Sequence, residues 1–223
     1  GVLGRHAARE PDHAALEILL SRTLDAVVVD VGPDPGLLAS CLDDLGVDTV
    51  PVVMISHFHA DHRSGLAALD GRQVRQVVVG VLDEPEEGAA MVRNWAAARS
   101  LPVQRARTGQ RGSWGEVSWR VLWPSRVIRG VGSTPNQASV VVRVELDGMS
   151  VLLTGDLEPA AQQAVLVESP RLLDVDVLKV PHHGSPEQHD AFLRATTPAL
   201  AVVPVGEVND YGHPAASTLR ILR

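Results

Sequence analysis

Six consecutive residues, His57-Phe-His-Ala-Asp-His62, carry three imidazoles and a carboxylate directly after the apolar run Pro51-Val-Val-Met-Ile-Ser56. Core packing rarely calls for that density of polar donors, whereas a divalent metal does, and the chemistry such a loop suits is hydrolysis. Three further apolar runs end in residues of the same kind. Val151–Leu153 leads to Thr154-Gly-Asp156, Val175–Val180 to Pro181-His-His-Gly-Ser185, and Leu200–Val205 to the loop holding Tyr211-Gly-His213. Imidazole and carboxylate donors without thiolates suit zinc, manganese or iron, and their number suits two ions. Asp156 is the natural bridge between the two. A pair of ions can share a hydroxide and lower its pKa. Offset by Asp61, Asp156 and that hydroxide, they leave a site of about +1, which attracts a phosphodiester.

These donors must be gathered by a scaffold. Val- and Leu-rich runs alternate with Ala-rich helical stretches, the pattern of a layered α/β fold. Strands are predicted near 16–20, 24–31, 51–55, 76–80, 102–105, 117–123, 138–146, 149–154, 175–180 and 199–204, and helices near 36–45, 64–69, 85–99, 158–167, 187–195 and 215–222. Asp147-Gly148 between apolar runs predicts a tight hairpin. That hairpin returns the start of strand 138–146 to the end of strand 149–154 and brings Asn136 and Ser139 close to Asp156. Ligand sites in such folds lie beyond the carboxyl ends of the strands, where the four donor groups fall.

Composition narrows the alternatives. The chain has 223 residues, 45% of them hydrophobic, enough for one full core, and one domain over 1–223 is expected. No apolar run is long enough to span a bilayer. Cys41 is the only cysteine, so an internal disulfide is excluded. The net charge of −7 argues against a uniformly basic nucleic-acid-binding surface. Between Arg93 and Arg129, however, eight arginines face one acid, Glu116, a local balance of +7. All four tryptophans, 95, 114, 119 and 123, lie in this stretch. Bases stack on aromatic rings while guanidinium groups follow phosphates, so Arg105, Arg107, Arg111 and Trp114, around the glycine-rich segment 107–115, are candidate contacts to single-stranded nucleic acid. Trp119 and Trp123, an even number apart on one strand, are expected to share a face and pack the core. The chain opens on Gly1 and Ser217–Arg223 reads as a helix without a cap. The expectation is a piece excised from a longer protein.

The loop His57–His62, the acidic strand end Asp30-Val-Gly-Pro-Asp34, Thr154-Gly-Asp156 and the late histidines resemble the metallo-β-lactamase superfamily. Within it, Leu178-Lys-Val-Pro-His-His-Gly-Ser185 and Tyr211-Gly-His-Pro214 resemble the extracytoplasmic domain of ComEC-type competence proteins, over roughly residues 14–223. The resemblance implies a four-layered αββα sandwich. It implies His57 and His59 on a first metal, Asp61, His62 and His183 on a second, zinc or manganese in both, and Asp156 bridging them. His182 would face the substrate phosphate and His213 would be a further phosphate contact or the general acid, with Asp61, His182 and His213 taking part in catalysis. Asn136 and Ser139 stand where the superfamily usually has another histidine, and are read as substrate contacts. Asp30 would orient the metal loop, and His6, His13 and His189 are read as surface residues. The segment Ala8–His13 replaces the Asp-Val-Gly-Gln-Gly-Asp opening usual in the subfamily. The implied activity is a deoxyribonuclease at the outer face of the plasma membrane. It would hydrolyse the non-imported single strand of incoming DNA beside the channel portion of the same parent protein, with no stable protein partner. The alternatives are a small-ester hydrolase of the same fold and a metal-stabilised DNA-binding module without catalysis.

Overall fold

A computed structural model describes residues 16–20, 25–206 and 209–223. The stretch Ala8–His13 and the residues His6 and His13 lie outside them. The elements run β1 (Leu16–Leu20), β2 (Asp25–Val31), α1 (Pro35–Asp44), β3 (Thr49–Ile55), α2 (Ala60–Arg63), β4 (Gln73–Val79), α3 (Glu86–Ala98), β5 (Val103–Arg105), β6 (Arg111–Trp114), β7 (Val117–Trp123), α4 (Thr134–Gln137), β8 (Val141–Leu146), β9 (Met149–Leu153), α5 (Pro159–Glu168), β10 (Val177–Lys179), α6 (Asp190–Thr196), β11 (Leu200–Val202) and α7 (Ala216–Ile221). Tight 3-10 turns cover Ser64–Leu69, Pro170–Leu172 and Pro181–Gly184.

One sheet has the order β1-β2-β3-β4-β5, with β2 to β5 parallel; the other has the order β11-β10-β9-β8-β7-β6. In the second sheet β9, β10 and β11 run parallel, while β6 to β9 form antiparallel hairpins. Three apolar clusters separate four layers. Val28, Val53 and Val77 pack under α1 and α3, and Val29, Val52, Val142 and Val151 fill the space between the sheets. Leu122, Leu152 and Leu178 pack under α5 and α6. This is the αββα sandwich, and alternate strand residues feed opposite clusters because side chains alternate across a pleated sheet. Among the described residues, no helix is long and apolar enough to cross a membrane.

The local departures from expectation have identifiable causes. β3 begins at Thr49 and carries Pro51 inside it, where the pairing with β2 shifts register between Asp25 and Val27. Proline has no N–H to give the ladder, and an irregularity is where a central strand tolerates it. Within the glycine-rich segment 107–115, where no strand is predicted, Arg111–Trp114 form the edge strand β6, while most of the segment stays exposed. Gly112 faces Trp119 on β7, and a Cβ there would lie 2.2 Å from the indole, so the bare glycine is covered by the cross-strand ring. Trp119 and Trp123 are both buried but on opposite faces. A bulge between Val121 and Trp123 sends Trp119 between the sheets and Trp123 under α5. His189, expected at the surface, is half-buried and caps α6 by accepting from Phe192 N at 3.3 Å.

The expected hairpin forms: Asp147 (φ 52°) and Gly148 (φ 78°) join β8 to β9. The turn after α2 is held close to β2. A Cβ on Gly65 would fall 2.0 Å from Val31 O, and Gly65 N donates to Gly32 O at 2.9 Å. Only glycine permits that approach, and it presses the histidine-rich loop against the end of β2.

Candidate metal centre

The carboxyl ends of β2, β3, β9 and β10 meet at one edge of the sandwich. Val140 N donates to Ser56 O (3.0 Å), and Asp156 N donates to Ser139 Oγ (3.2 Å). There Asp61, His62, Asp156 and His183 each offer one ligand atom, all within 4.8 Å of one another. His62 Nε2 lies 3.4 Å from Asp61 Oδ2 and 3.3 Å from Asp156 Oδ1, and His183 Nε2 lies 3.5 and 3.3 Å from the same two oxygens. Ligand atoms held about 2.0–2.1 Å from one tetrahedral ion stand about 3.3–3.4 Å apart, so the spacing suits a single divalent ion. Among the described residues, His62 Nε2, Asp156 Oδ1 and His183 Nε2 are buried without a hydrogen-bond partner. Buried polar atoms are nearly always satisfied, and three orphans converging on one point fit a metal. Beside them His57 Nε2 and His59 Nδ1 face each other at 3.0 Å, a second pair of donors.

The rings are aimed by their other nitrogens. His62 Nδ1 donates to Asp30 Oδ2 (2.8 Å) and His183 Nδ1 donates to Pro204 O (2.8 Å), while His57 Nδ1 rests against Ser56 Oγ (3.2 Å) and Ser139 Oγ (3.3 Å). Each ring thereby presents Nε2 to the cluster, the arrangement that orients metal-ligating histidines. Asp30 also accepts from Ser56 N (2.7 Å) and Ser56 Oγ (2.8 Å), so it orients the metal loop from beneath. Lys179, 2% exposed on β10, donates to Gly155 O (2.7 Å), and its Nζ lies 3.7 Å from Asp156 Oδ1. Three site residues have left-handed backbone, Asp30 (φ 56°), His182 (φ 47°) and His183 (φ 51°). Such strain costs about 1–3 kcal/mol per residue and concentrates where side-chain direction matters.

Electrostatics divide the histidines. Burial opposes charge on His62, but the Asp156 and Asp30 carboxylates overcome it and raise its pKa well above the ordinary histidine value. His183 is raised in the same way by Asp156 and Asp61 against its burial. Burial holds His57 well below the ordinary value and His59 below it, His62 adding to the effect at both. Asp61 and Asp156 lie below the carboxylate range despite burial, because His183 and His62 face both. In the metal-free protein His62 therefore keeps its proton until pH rises through its elevated pKa, and an incoming ion must displace it. Metal affinity is expected to rise with pH across neutrality, about tenfold per unit for each proton displaced. Calorimetry in buffers of different ionisation enthalpy should show at least one proton released at pH 7 for the ion that His62 and His183 take up; no release would contradict this reading.

The other predicted site residues fall at different depths. Asp61, 39% exposed, and His182, 28% exposed, mark the open side of the cluster. His182 Nε2 lies 3.9 Å from Asp156 Oδ2, and its ring centre is 5.7 Å from that of His213. Burial, with His182 and His183 nearby, lowers the pKa of His213, which favours a neutral hydrogen-bonding group there. Two of the expected substrate contacts are internal instead. Ser139 is fully buried between His57 and Asp156, and Asn136 Nδ2 donates to the buried Glu158 Oε1 (3.1 Å). Trp114 is partly buried against the core between the sheets rather than free to stack, because β6 pairs with β7. Arg105 is held by Asp83 (2.6 Å) and Gly80 O (2.7 Å). It lines an open pocket of about 350 Å³ with Gln104, Arg107 and Gln110. Arg107 and Arg111 are exposed. The basic excess of the stretch is offset in space, Arg93 pairing with Asp83, Arg99 with Asp70, Arg126 with Glu168 and Arg129 with Glu84. Asp156 does not cap α5, which begins without a side-chain cap. The sequence reading missed Ser56 and Lys179. The one available signal was a lysine set inside the apolar run 175–180.

Residues 18–206 match the family model of the metallo-beta-lactamase superfamily. Among curated proteins, the chain is 28% identical to ComE operon protein 3 of Bacillus subtilis, over 80% of this chain and 23% of that protein. It is 29% identical to competence protein ComA of Neisseria gonorrhoeae, over 82% and 24%. The match thus spans about a quarter of the length of these relatives. Among solved structures, the MIM-2 metallo-beta-lactamase superposes with a TM-score of 0.51 at 18% identity, covering 87% of this chain and 76% of that one. Zinc-bound PqqB from Methylobacterium extorquens does so with a TM-score of 0.51 at 12% identity, covering 74% and 58%.

Proposed function

The chain belongs to the metallo-beta-lactamase superfamily, and on that basis we propose that it is a metal-dependent phosphodiesterase that cuts DNA, with single strands as its substrate. The observation that carries hydrolysis is the convergence of Asp61, His62, Asp156 and His183, with the ligand atoms of His62, Asp156 and His183 buried and unpaired. Similarity to ComE operon protein 3 and to competence protein ComA over four-fifths of the chain supports DNA as the substrate. His57 and His59 would hold one divalent ion, Asp61, His62 and His183 another, and Asp156 would be shared; zinc and manganese both suit these donors. Such ions supply an activated water and neutralise the charge that develops on phosphorus. The protein's own share is positioning. Asp30, Ser56, Ser139 and the Pro204 carbonyl fix the donor rings, and Lys179 braces the turn that carries Asp156. His182 and His213, on the open side, would bind the phosphate. As the water oxygen bonds to phosphorus it gives up a proton to solvent, the ester P–O bond breaks, and the leaving oxygen takes a proton from His182, which solvent then reprotonates. We propose further that residues 1–223 form one domain of a longer membrane protein, acting outside the plasma membrane next to its own channel portion.

Arg107 and Arg111 are exposed cations at the β5–β6 end of the two sheets. Replacing both with glutamate is expected to weaken single-stranded DNA binding about tenfold or more. The slope of log affinity against log salt should fall by about 1.4, the value for two lost phosphate contacts. Turnover of a small diester should stay as in the parent. Unchanged affinity and slope would remove this basic path and favour hydrolysis of a small ester.

A further inference from the structure

Tyr211 is the chain's only tyrosine, and it is 85% exposed. A single exposed aromatic is ordinary on a protein surface. Its place is what distinguishes it. Ring centres step outward from the donor cluster, from His183 to His182 at 6.3 Å, on to His213 at 5.7 Å and then to Tyr211 at 5.9 Å. Tyr211 and His213 lie at an interplanar angle of 32°. The row begins at a metal donor and ends with an open aromatic face in solvent.

The loop that presents the ring is closed on itself and tied at its C-terminal side to a neighbouring turn. Asn209 accepts from His213 N (2.8 Å) with Oδ1 and donates to His213 O (2.8 Å) with Nδ2. Ala215 N donates to Gly184 O (2.8 Å), and Pro214 packs so closely on Gly184 that a Cβ there would lie 2.9 Å from it. The tyrosine is thus tied to the same turn that carries His182 and His183. A ring held in place by its backbone loses little freedom when a flat ligand settles on it.

We propose that Tyr211 is the seat for a nucleobase next to the scissile phosphate, stacking on it while His182 and His213 meet the phosphate. This rests on the DNA reading and adds a specificity determinant to it. A base can reach the phenol only when it is splayed from its neighbours, so the seat selects single strands over duplex. Every base has a π-face, so the selection carries no sequence preference.

The test compares kcat/KM of the metal-loaded protein on oligothymidylate, on the same oligomer in a duplex, and on an abasic oligomer of equal length. The parent should prefer the base-bearing single strand over the abasic one by about 5- to 150-fold, the range for one stacked base. Tyr211→Ala should bring that ratio close to one by lowering only the base-bearing rate, with loss of single-strand preference, whereas Tyr211→Phe and Tyr211→Trp should keep both. The proposal is overturned if Tyr211→Ala keeps the full discrimination, if it slows the abasic oligomer equally, or if the parent does not discriminate. A parent that cuts no DNA at all would remove the DNA reading and this inference with it.

Discussion

Asp156→Ala is expected to abolish phosphodiester hydrolysis, with kcat/KM down by at least about 10³-fold, while far-UV circular dichroism stays that of the folded protein. The carboxylate contributes one of four converging ligand atoms and lies 3.3 Å from both His62 Nε2 and His183 Nε2. Removing it takes away the carboxylate that those rings and Lys179 share and leaves Asp61 as the carboxylate of the cluster, so one metal site should be lost from the stoichiometry. The fold survives because the contact that ties this turn to Ser139 comes from the Asp156 backbone N–H, which alanine keeps. Asp156→Asn preserves volume and should fail almost as completely, since a neutral amide offsets no metal charge. Full activity in either variant would remove the metal mechanism from consideration.

The second large effect is expected one layer beneath the donors. Asp30, 1% exposed, accepts three hydrogen bonds, from Ser56 N, Ser56 Oγ and His62 Nδ1. Asp30→Ala leaves a buried N–H unpaired and frees the His62 ring. The expected costs are about 3–5 kcal/mol of stability and about 10- to 100-fold in metal affinity. Asp30→Asn separates the two roles. Its amide oxygen can still accept from Ser56, so chemical denaturation should recover much of the stability. Its NH₂ cannot accept from His62 Nδ1–H, so calorimetric metal affinity should stay low. Parent-like metal binding by Asp30→Asn would mean that Asp30 supports the fold alone.

Those features of the site that lie at strand ends were legible in the sequence. Apolar runs stop where the chain emerges, and each of those ends carries its own donors: His57–His62 after β3, Asp156 after β9, His183 after β10. The Asp147-Gly148 turn even placed Ser139 beside Asp156, because hairpin geometry fixes register. What stayed hidden depends on pairings between distant residues. Ser139 looked like a substrate contact and is internal, since its hydroxyl is used up between His57 and Asp156. The arginine-rich stretch looked unopposed, yet Arg105 meets Asp83 and Arg129 meets Glu84, acids that lie far from them in sequence. β6 was invisible because Gly112 has no strand preference of its own and relies on Trp119 across the ladder. The bulge that turns Trp123 to the opposite face from Trp119 also breaks the simple count of two, and a single strand gives no sign of it.

Metal add-back on DNA is the most direct measurement. Protein stripped by chelation should leave an end-labelled single-stranded oligonucleotide intact and should cut it once zinc or manganese is restored, with duplex of the same sequence cut more slowly. Intact DNA with every divalent ion, from protein shown by calorimetry to have bound them, would contradict the nuclease assignment and leave a small-ester hydrolase or a DNA-holding module in its place.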